Sequence, residues 1–169
     1  MLIIAAIVTI VLVVIDQLIK NWAVADLRPI GEMEFLRIGD LDIMHLTYVE
    51  NTGSAFGSLA GQRWLLLAIS ILGIGACAYV LVRHAKKKPF LFWSLVLVIA
   101  GAAGNLYDRM FRGGAVVDYL DVQLFEFAVF NFADCCVCIG TAMLFVYILF
   151  FMDKQPKKAS AQEASHDEA

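Results

Sequence analysis

The sequence is poor in charged residues. Asp, Glu, Lys and Arg make up only 17% of its 169 residues, whereas 61% are apolar and the mean hydropathy is +0.77. A soluble domain of this size cannot bury so much apolar surface. The net charge of −3 averages a basic loop and an acidic tail, and we expect no nucleic-acid partner. The chain is therefore predicted to lie in a lipid membrane.

The sequence also lacks the signatures of two common protease classes. It contains neither H-E-x-x-H nor G-x-S-x-G, so a zinc protease or a serine hydrolase is poorly supported. Its three histidines lie apart from the other polar candidates: His45 in a predicted hairpin, His84 in a predicted cytoplasmic loop and His166 in the tail. We expect no metal ion and no cofactor.

Four segments are long and apolar enough to cross a bilayer, which takes roughly 20 residues each. They cover approximately residues 2–22, 64–82, 90–108 and 132–152. The first has no basic segment before it and no small-residue cleavage site, so we interpret it as retained and not as a cleaved signal. The sequence thus predicts an all-α membrane protein, a bundle of four transmembrane helices forming one domain over residues 1–152. Residues 153–169, rich in Ala, Ser, Glu and Lys, are predicted to be a disordered tail.

Basic residues mark one side of the predicted bundle. Four lie in the segment 83–88, between the second and third spans, and three lie in the tail at Lys154, Lys157 and Lys158. By the positive-inside rule both segments are cytoplasmic. Both termini are then cytoplasmic, and residues ~20–62 and ~108–130 are outside.

A small extracytoplasmic sheet is expected after the first span. Residues 34–50, EFLRIGDLDIMHLTYVE, contain two short β-prone runs separated by Gly39-Asp40, which is typical of a hairpin. The turn-forming residues 51–57, NTGSAFG, follow directly. Taken alone, Asn51-Thr52-Gly53 could be only a turn.

Polar residues from several separate segments collect at the outer ends of the predicted spans. Ionisable groups inside or at the ends of membrane helices are costly and often mark function. Because several unrelated structural causes would have to converge on one rim, a functional site is the more economical interpretation. The residues are Asp16, Lys20, Asn51, Gly53, Asn105, Asp108, Arg109, Asp118, Asn131 and Asp134.

Each of these residues also has a purely structural interpretation. Asp16 and Lys20 form an acid-to-base pair four residues apart, which stabilises an exposed helix end by about 0.2–0.5 kcal/mol. Arg109 could be an ordinary anchor at the membrane interface. Asn131 and Asp134 have the spacing of a helix N-cap followed by an acid in the first turn.

The two aspartates Asp118 and Asp134 suggest a specific chemistry. When two carboxyl groups share a small, partly desolvated space, one remains protonated while the other acts as a base. Such a pair can deprotonate a water for attack on an amide carbonyl without a metal. Asp118 could instead simply end a strand, and the sequence does not establish that the two residues meet.

Two other functional classes remain open. A proton-coupled transporter would need acids at the middle of the membrane, whereas these acids lie at one rim. A quinone-linked disulfide-forming protein would need cysteine pairs on outer loops. All four cysteines, Cys77, Cys135, Cys136 and Cys138, fall inside the spans, and although Cys135 and Cys138 match C-x-x-C we interpret them as packing residues.

Five sequence blocks resemble one known family, the lipoprotein signal peptidases, also called signal peptidase II. The resemblance extends from Asp16 to about residue 141, with all five blocks in order on a four-span chain. The blocks are Asp16-Gln17-x-x-Lys20, Asn51-Thr52-Gly53-Ser54-Ala55-Phe56, Gly101-x-x-Gly104-Asn105-x-x-Asp108-Arg109, Val116-Val117-Asp118-Tyr119 and Phe130-Asn131-Phe132-Ala133-Asp134.

The resemblance implies an aspartyl endopeptidase of the bacterial cytoplasmic membrane, with a β-rich extracytoplasmic cradle and a mobile outer segment over an active site at the outer face. It implies cleavage of prolipoproteins on the N-terminal side of a diacylglyceryl-modified lipobox Cys, in contact with membrane lipids, by a protein that we expect to be monomeric. The catalytic dyad would be Asp118 and Asp134. The residues implied to shape the site and hold the substrate are Asp16, Lys20, Asn51, Gly53, Gly104, Asn105, Asp108, Arg109, Asn131 and Ala133. If the dyad lies at the lipid boundary, Arg109 or Lys20 is expected near lipid phosphate or the substrate carbonyls.

Overall fold

The computed structural model describes residues 1–53, 59–85 and 87–151. Ser54, Ala55 and Phe56 of the second sequence block lie outside the described residues, as does the predicted disordered tail, 153–169. The end of the fourth predicted span at residue 152 also falls just outside them.

Four long helices account for most of the described chain: α1 (Leu2–Trp22), α2 (Arg63–His84), α3 (Pro89–Phe111) and α4 (Phe132–Phe151). A single π-helical turn, Ala23–Leu27, prolongs α1. Each helix is long and apolar enough to cross a membrane, which confirms the four predicted spans to within a few residues at their ends. Pro89 at the start of α3 suits the first helical turn, where the missing N–H has no partner to lose.

Helix α3 is the centre of the bundle. Half of its apolar segment is buried inside the protein, against 11–17% for the other three helices, and α1, α2 and α4 all pack on it. Glycines allow the closest approach: Gly101 of α3 faces the backbone of α4 at Ala133 and Val137, and Gly140 of α4 faces the backbone of α3 at Ser94. Small residues are the usual means of close helix packing in membranes.

Helices α2 and α4 flank α3 and, among the described residues, hardly contact each other. A cleft therefore separates them, with α3 as its floor. Leu66 and Ile69 line it from α2, Ala102 from α3, and Val137 and Ile139 from α4.

At one end of the bundle lies a three-stranded antiparallel sheet in the order β1 (Glu32–Ile38), β2 (Leu41–Asn51), β3 (Val116–Val122). Strands β1 and β2 form the predicted hairpin, with Gly39 at a φ of 62° in its turn, a conformation that favours glycine. Strand β3 was not specified by the sequence patterns and comes from the second outer segment. The pairing of Asn51 with Val116 brings the end of β2 beside the start of β3.

The sheet is attached to the bundle by a second apolar core. Leu46 of β2 and Val117 and Tyr119 of β3 pack against Ala23 and Leu27 of the π-helical turn. Because successive side chains in a strand point to opposite faces, Asp118 between these two residues points the other way.

Candidate active site

A buried group of charges lies at the sheet end of the bundle. The Lys20 ammonium is 3.0 Å from Asp16 Oδ2 and 2.8 Å from Asp108 Oδ2, and none of its side chain is exposed. The pair Asp16 and Lys20 is therefore not the weak surface pair that its spacing alone suggested. In a buried pair the loss of one partner leaves an uncompensated charge, at a cost of about 3–5 kcal/mol.

This charge cluster holds two other elements in place. The backbone N–H of Ala133, at the start of α4, donates to Asp16 Oδ1 at 3.1 Å. The backbone N–H of Val117 in β3 donates to Asp108 Oδ2 at 3.3 Å. Gly104 provides the room, since a Cβ on it would lie 2.6 Å from Asp16 Oδ2.

The cluster contains two residues that the sequence patterns did not single out as functional. Gln17 donates to Asp108 Oδ1 at 3.0 Å, and Arg112 Nε donates to the same oxygen at 3.0 Å. The available signal for Arg112 was its spacing of four residues from Asp108 on one helix.

Helix α4 begins with a reciprocal cap. The backbone N–H of Asp134 donates to Asn131 Oδ1 at 3.0 Å, and the backbone N–H of Asn131 donates to Asp134 Oδ2 at 3.1 Å. This is the geometry of a capping box. The interpretation of Asn131 as a helix N-cap, with the acid Asp134 in the first turn, is therefore correct. The cap also fixes the carboxylate of Asp134.

Asp118 occupies the middle of β3 and is only 2% exposed. Its Oδ1 accepts a hydrogen bond from Asn131 Nδ2 at 2.5 Å and its Oδ2 accepts one from Asn51 Nδ2 at 2.9 Å. The Asn51 side chain is held in turn by the backbone N–H of Gly53, which donates to Asn51 Oδ1 at 2.9 Å. The interpretation of Asn51-Thr52-Gly53 as a turn is correct. The turn also directs the Asn51 side chain toward Asp118.

The Asp134 carboxylate accepts a second hydrogen bond from Asn105 Nδ2, which donates to its Oδ1 at 2.7 Å. Asn131 contacts both aspartates, one through its side chain and one through its backbone. The fold thus brings Asp118 from β3 and Asp134 from α4 to a single asparagine, and both line one cavity.

The Asp118 carboxyl is the clearest acid–base anomaly outside the spans. Burial and the nearby charge of Asp134 raise its pKa from 3.8 to about 6, against the opposing hydrogen bonds from Asn51 and Asn131. Because this pKa is raised by folding, the contribution of Asp118 to stability is fully present below pH 3.8 and is lost as the pH rises through about 6. That change corresponds to about 3 kcal/mol.

We therefore expect wild-type protein to lose stability relative to an Asp118→Asn variant between pH 4 and pH 8. The measurement is the melting temperature of both proteins in detergent across this range. Asn keeps the size of the side chain but cannot ionise. The melting temperature of the wild type should therefore fall relative to that of the variant as the pH rises from 4 to 8. Parallel curves would show that Asp118 titrates near its ordinary pKa.

The cavity measures about 700 Å³ and has one polar end. The polar lining consists of Asn51, Asn105, Arg109, Asp118 and Asp134, with Ser70 of α2 further along the cavity wall. The remaining lining is mostly apolar and continues into the cleft between α2 and α4. A molecule that enters from the lipid side along this cleft would meet the two carboxylates at its end.

Arg109 points into this cavity. Its Nη2 donates to the backbone oxygen of Gly53 at 3.0 Å, and its Nε, which is buried, has no hydrogen-bond partner in the described part of the chain. With a side chain mostly hidden from solvent, Arg109 is not a simple interfacial anchor. Lys20 is fully buried with its donors used inside the protein, so its expected placement near lipid phosphate or substrate is wrong.

Two of the cysteines also line the cavity. Cys135 follows Asp134 directly and Cys138 lies one helical turn beyond it, and the described structure leaves both thiols free. The interpretation of these residues as packing residues is therefore incomplete. The spacing of four residues between Asp134 and Cys138 was the signal that they share a helix face.

A possible metal-binding group lies elsewhere, on the hairpin. One ligand atom from each of Glu34, Asp42 and His45 lies within 4.8 Å of the others. Arg37 pairs with Glu34 at 3.3 Å and with Asp42 at 3.2 Å, so the protein already supplies a cation to both carboxylates. None of these residues lines the cavity that holds Asp118 and Asp134.

The chain matches known proteins over nearly its whole described length. Residues 8–150 match the family model described as signal peptidase (SPase) II. A lipoprotein signal peptidase of Clostridioides difficile (strain 630) is 39% identical over 147 residues, covering 86% of this chain and 94% of that protein. A lipoprotein signal peptidase of Bacillus velezensis is 36% identical over 150 residues, covering 87% of this chain and 94% of that protein.

Solved structures agree with the fold. Two structures of bacterial membrane enzymes determined by the in meso method have TM-scores of 0.79 and 0.75, each at 28% identity. The matched regions cover 92% and 87% of this chain, respectively, and 93% of each solved chain. With four helices able to span a membrane, two aspartates that line one cavity and these matches, the chain belongs to the signal peptidase II family of membrane aspartic peptidases.

Proposed function

We propose that this protein removes signal peptides from diacylglyceryl-modified prolipoproteins, cutting on the N-terminal side of the lipid-modified lipobox Cys. The catalytic residues in this proposal are Asp118 and Asp134. The observation that carries it is the meeting of these two carboxylates, from separate elements, at the polar end of a cleft that opens between two membrane helices. The proteins at 34–39% identity named lipoprotein signal peptidases support the choice of substrate.

The reaction follows from the shared environment of the two acids. One carboxylate takes a proton from a water as the water oxygen attacks the scissile carbonyl carbon, and the protonated partner donates a hydrogen bond to the carbonyl oxygen. The resulting tetrahedral intermediate collapses when the C–N bond breaks and the departing amine takes up a proton from the dyad. The raised pKa of Asp118 allows one proton to remain in the pair near neutral pH.

The neighbouring polar residues position the substrate and the acids. Arg109 can donate to substrate carbonyl oxygens, because its Nε is buried at the cavity without a partner among the described residues. Asn51 and Asn131 hold the Asp118 carboxyl, and Asn105 holds that of Asp134. Asp16, Lys20, Gly104, Asp108 and Ala133 form the support beneath them.

The requirement for lipid has a physical reason in this arrangement. Acyl chains attached next to the scissile bond hold that bond at the lipid boundary, so part of the entropic cost of orienting it is met before it reaches the dyad. An unmodified precursor lacks this anchor. We therefore infer a preference for the lipidated substrate that acts mainly through binding.

The proposal includes the orientation of the protein in the bacterial cytoplasmic membrane. Arg83 in the last turn of α2 and Lys87 and Lys88 in the loop before α3 lie at the end opposite the aspartates. The positive-inside rule then puts both termini in the cytoplasm and the active site at the outer face. We further propose that residues 1–152 act as one peptidase domain and that the protein works as a monomer in contact with lipids.

The two rival functions have less support. A proton pathway needs acids along the membrane, whereas the acids of the four described helices, Asp16, Asp108 and Asp134, lie at one end of the bundle. A disulfide-forming protein needs cysteine pairs on outer loops, and the four cysteines are free and lie within helices.

The test compares two forms of one substrate. Purified protein in detergent is incubated with a diacylglyceryl-modified prolipoprotein and with its unmodified precursor, and the products are identified by mass spectrometry. We expect cleavage directly before the modified Cys and a kcat/KM for the unmodified form lower by about 100-fold, as for a lost orienting interaction. Equal cleavage of both forms would contradict the lipid-anchoring argument, and cleavage of neither would contradict the proposed function.

A further inference from the structure

Three asparagine side chains surround the two aspartates, and in each one the amide oxygen is held by a group that can only donate. Neither an ammonium nor a backbone N–H can accept a hydrogen bond, so the orientation of each amide is chemically determined. The three contacts are from Lys20 Nζ to Asn105 Oδ1 at 2.8 Å, from the Asp134 backbone N–H to Asn131 Oδ1 at 3.0 Å, and from the Gly53 backbone N–H to Asn51 Oδ1 at 2.9 Å.

With its oxygen held, each amide must direct its NH2 group toward a carboxylate. Asn105 donates to Asp134 Oδ1, Asn131 to Asp118 Oδ1 and Asn51 to Asp118 Oδ2. The backbone N–H of Asn131 donates to the remaining oxygen, Asp134 Oδ2. All four carboxylate oxygens therefore accept a hydrogen bond, and none of them faces another acceptor among these contacts.

Asn51 and Asn131 are fixed by backbone donors, whereas Asn105 Oδ1 is held by two side chains, Lys20 Nζ at 2.8 Å and Asn131 Nδ2 at 3.2 Å. Lys20 makes the shorter contact and carries a charge. We propose that Lys20 is a positioning residue of the dyad, which orients the amide of Asn105 so that it donates to Asp134. This role rests on the proposed function, because it assigns Lys20 to the same catalytic pair. This role differs from a general contribution to stability because Lys20 acts on the dyad through its hydrogen bond to Asn105 Oδ1.

The surroundings of Lys20 suit this role. Its ammonium is completely buried and its three protons are shared among Asp16, Asp108 and Asn105. If the ammonium were absent, the longer contact from Asn131 Nδ2 at 3.2 Å would remain, and Asn131 Nδ2 already donates to Asp118 Oδ1 at 2.5 Å. The Asn105 amide could then rotate and donate toward the acids of the charge cluster. Its oxygen would then face Asp134, and repulsion between the oxygens would move that carboxylate out of line with Asp118.

The choice of variant has to protect the fold. Lys20→Met alone would leave Asp16 and Asp108 buried without their cation, and such a protein is expected to fold poorly. The double variant Lys20→Met/Asp16→Asn removes one positive and one negative charge together. Asp108 keeps its contact with Arg112, and an Asn at position 16 can still accept from the Ala133 backbone.

The matched control is Arg112→Met. Arg112 is the other cation on Asp108, at 3.0 Å, and it makes no contact with Asn105. Both experiments remove a positive charge next to the same carboxylate, and only one removes the bond to Asn105. An effect that comes from losing a cation beside Asp108 should therefore be seen in both, although only Arg112→Met changes the net charge.

For the double variant we expect kcat for the lipidated precursor to fall about 100-fold, with KM changed by less than about threefold. The acidic limb of the kcat profile should move to higher pH by about one unit, because a carboxylate without its donor holds a proton more tightly. Arg112→Met should keep the wild-type limb. A purely structural role would lower the melting temperature and kcat of both variants together without moving this limb.

A second variant tests the same bond from its other side and leaves Lys20 in place. Asn105→Asp keeps an oxygen toward Lys20 but presents another oxygen to Asp134, so we expect a similar fall in kcat. Wild-type kinetics in either Asn105→Asp or the double variant would overturn the role of Lys20. If those variants are fully active while Asp118→Asn and Asp134→Asn are inactive, the proposed function stands and only this inference fails.

Discussion

Replacing Asp118 or Asp134 by Asn is expected to reduce kcat for the lipidated precursor by about 100- to 10,000-fold, the range for loss of a general acid or base. Asn has nearly the same size and keeps one oxygen, so each variant can keep one of the two hydrogen bonds that the carboxylate accepts, while its NH2 group faces the other donor. The loss should therefore appear in kcat and not in protein yield. Single-turnover cleavage measured by mass spectrometry separates the chemical step from binding.

Asp121 provides the matched control for this experiment. It lies three residues from Asp118 on the same strand, accepts a hydrogen bond from Thr47 Oγ1 at 3.0 Å and does not line the cavity with the dyad. Asp121→Asn should cleave at the wild-type rate. If the two aspartates act as one unit, the double Asn variant should be no slower than the worse single variant. Cleavage that survives either single substitution would exclude the dyad.

Gly101→Ala is expected to be the most damaging small substitution in the bundle. A Cβ at this position would collide with the backbone oxygen of Ala133 and lie 2.8 Å from Val137 Cγ2. Because the first obstacle is backbone, no change of rotamer relieves the collision, and α4 must move away from α3. Overpacking of this kind costs about 1–3 kcal/mol. A displacement of about 1 Å at Asp134 can also slow catalysis about 100-fold.

Gly75→Ala is the control for this substitution. Gly75 lies in α2, also a membrane-spanning helix, and a Cβ there would meet no atom within 4 Å. Since Ala has a higher helix propensity than Gly, this variant should be at least as stable as wild type. The measurements are melting temperature in detergent and kcat for both variants. Equal melting temperatures would show that α3 and α4 can separate at Gly101 without strain.

Local sequence patterns predicted the four long helices and the cap of α4 well. A membrane span is recognised from its own composition, and all four predicted spans occur where the apolar runs lie. The hairpin turn at Gly39 and the cap at Asn131 are equally local, because each depends on residues within a few positions. The polar candidates for the site stood out because polar groups are rare on so apolar a chain.

Contacts between distant segments were not predictable in the same way. Strand β3 forms because β2 offers it an edge, and Val116 to Val122 alone could not indicate which strand it joins. The spacing of Asp16 and Lys20 suggested a weak exposed pair, because spacing carries no information about the burial that Asp108 and Gly104 create around them. The exposure of Cys138 to the cavity likewise depends on the gap between α2 and α4.

The reciprocal cap of Asn131 and Asp134 has a consequence for where such an enzyme can cut. The same two residues mark the point at which the chain turns into a membrane helix and hold one of the two acids. In the proposed function, the height of the cut above the lipid tails is therefore set by where that helix begins. Inserting or deleting a residue there would move the acid and the helix start together. The position of the cap relative to the membrane therefore determines the depth at which the scissile bond is cut.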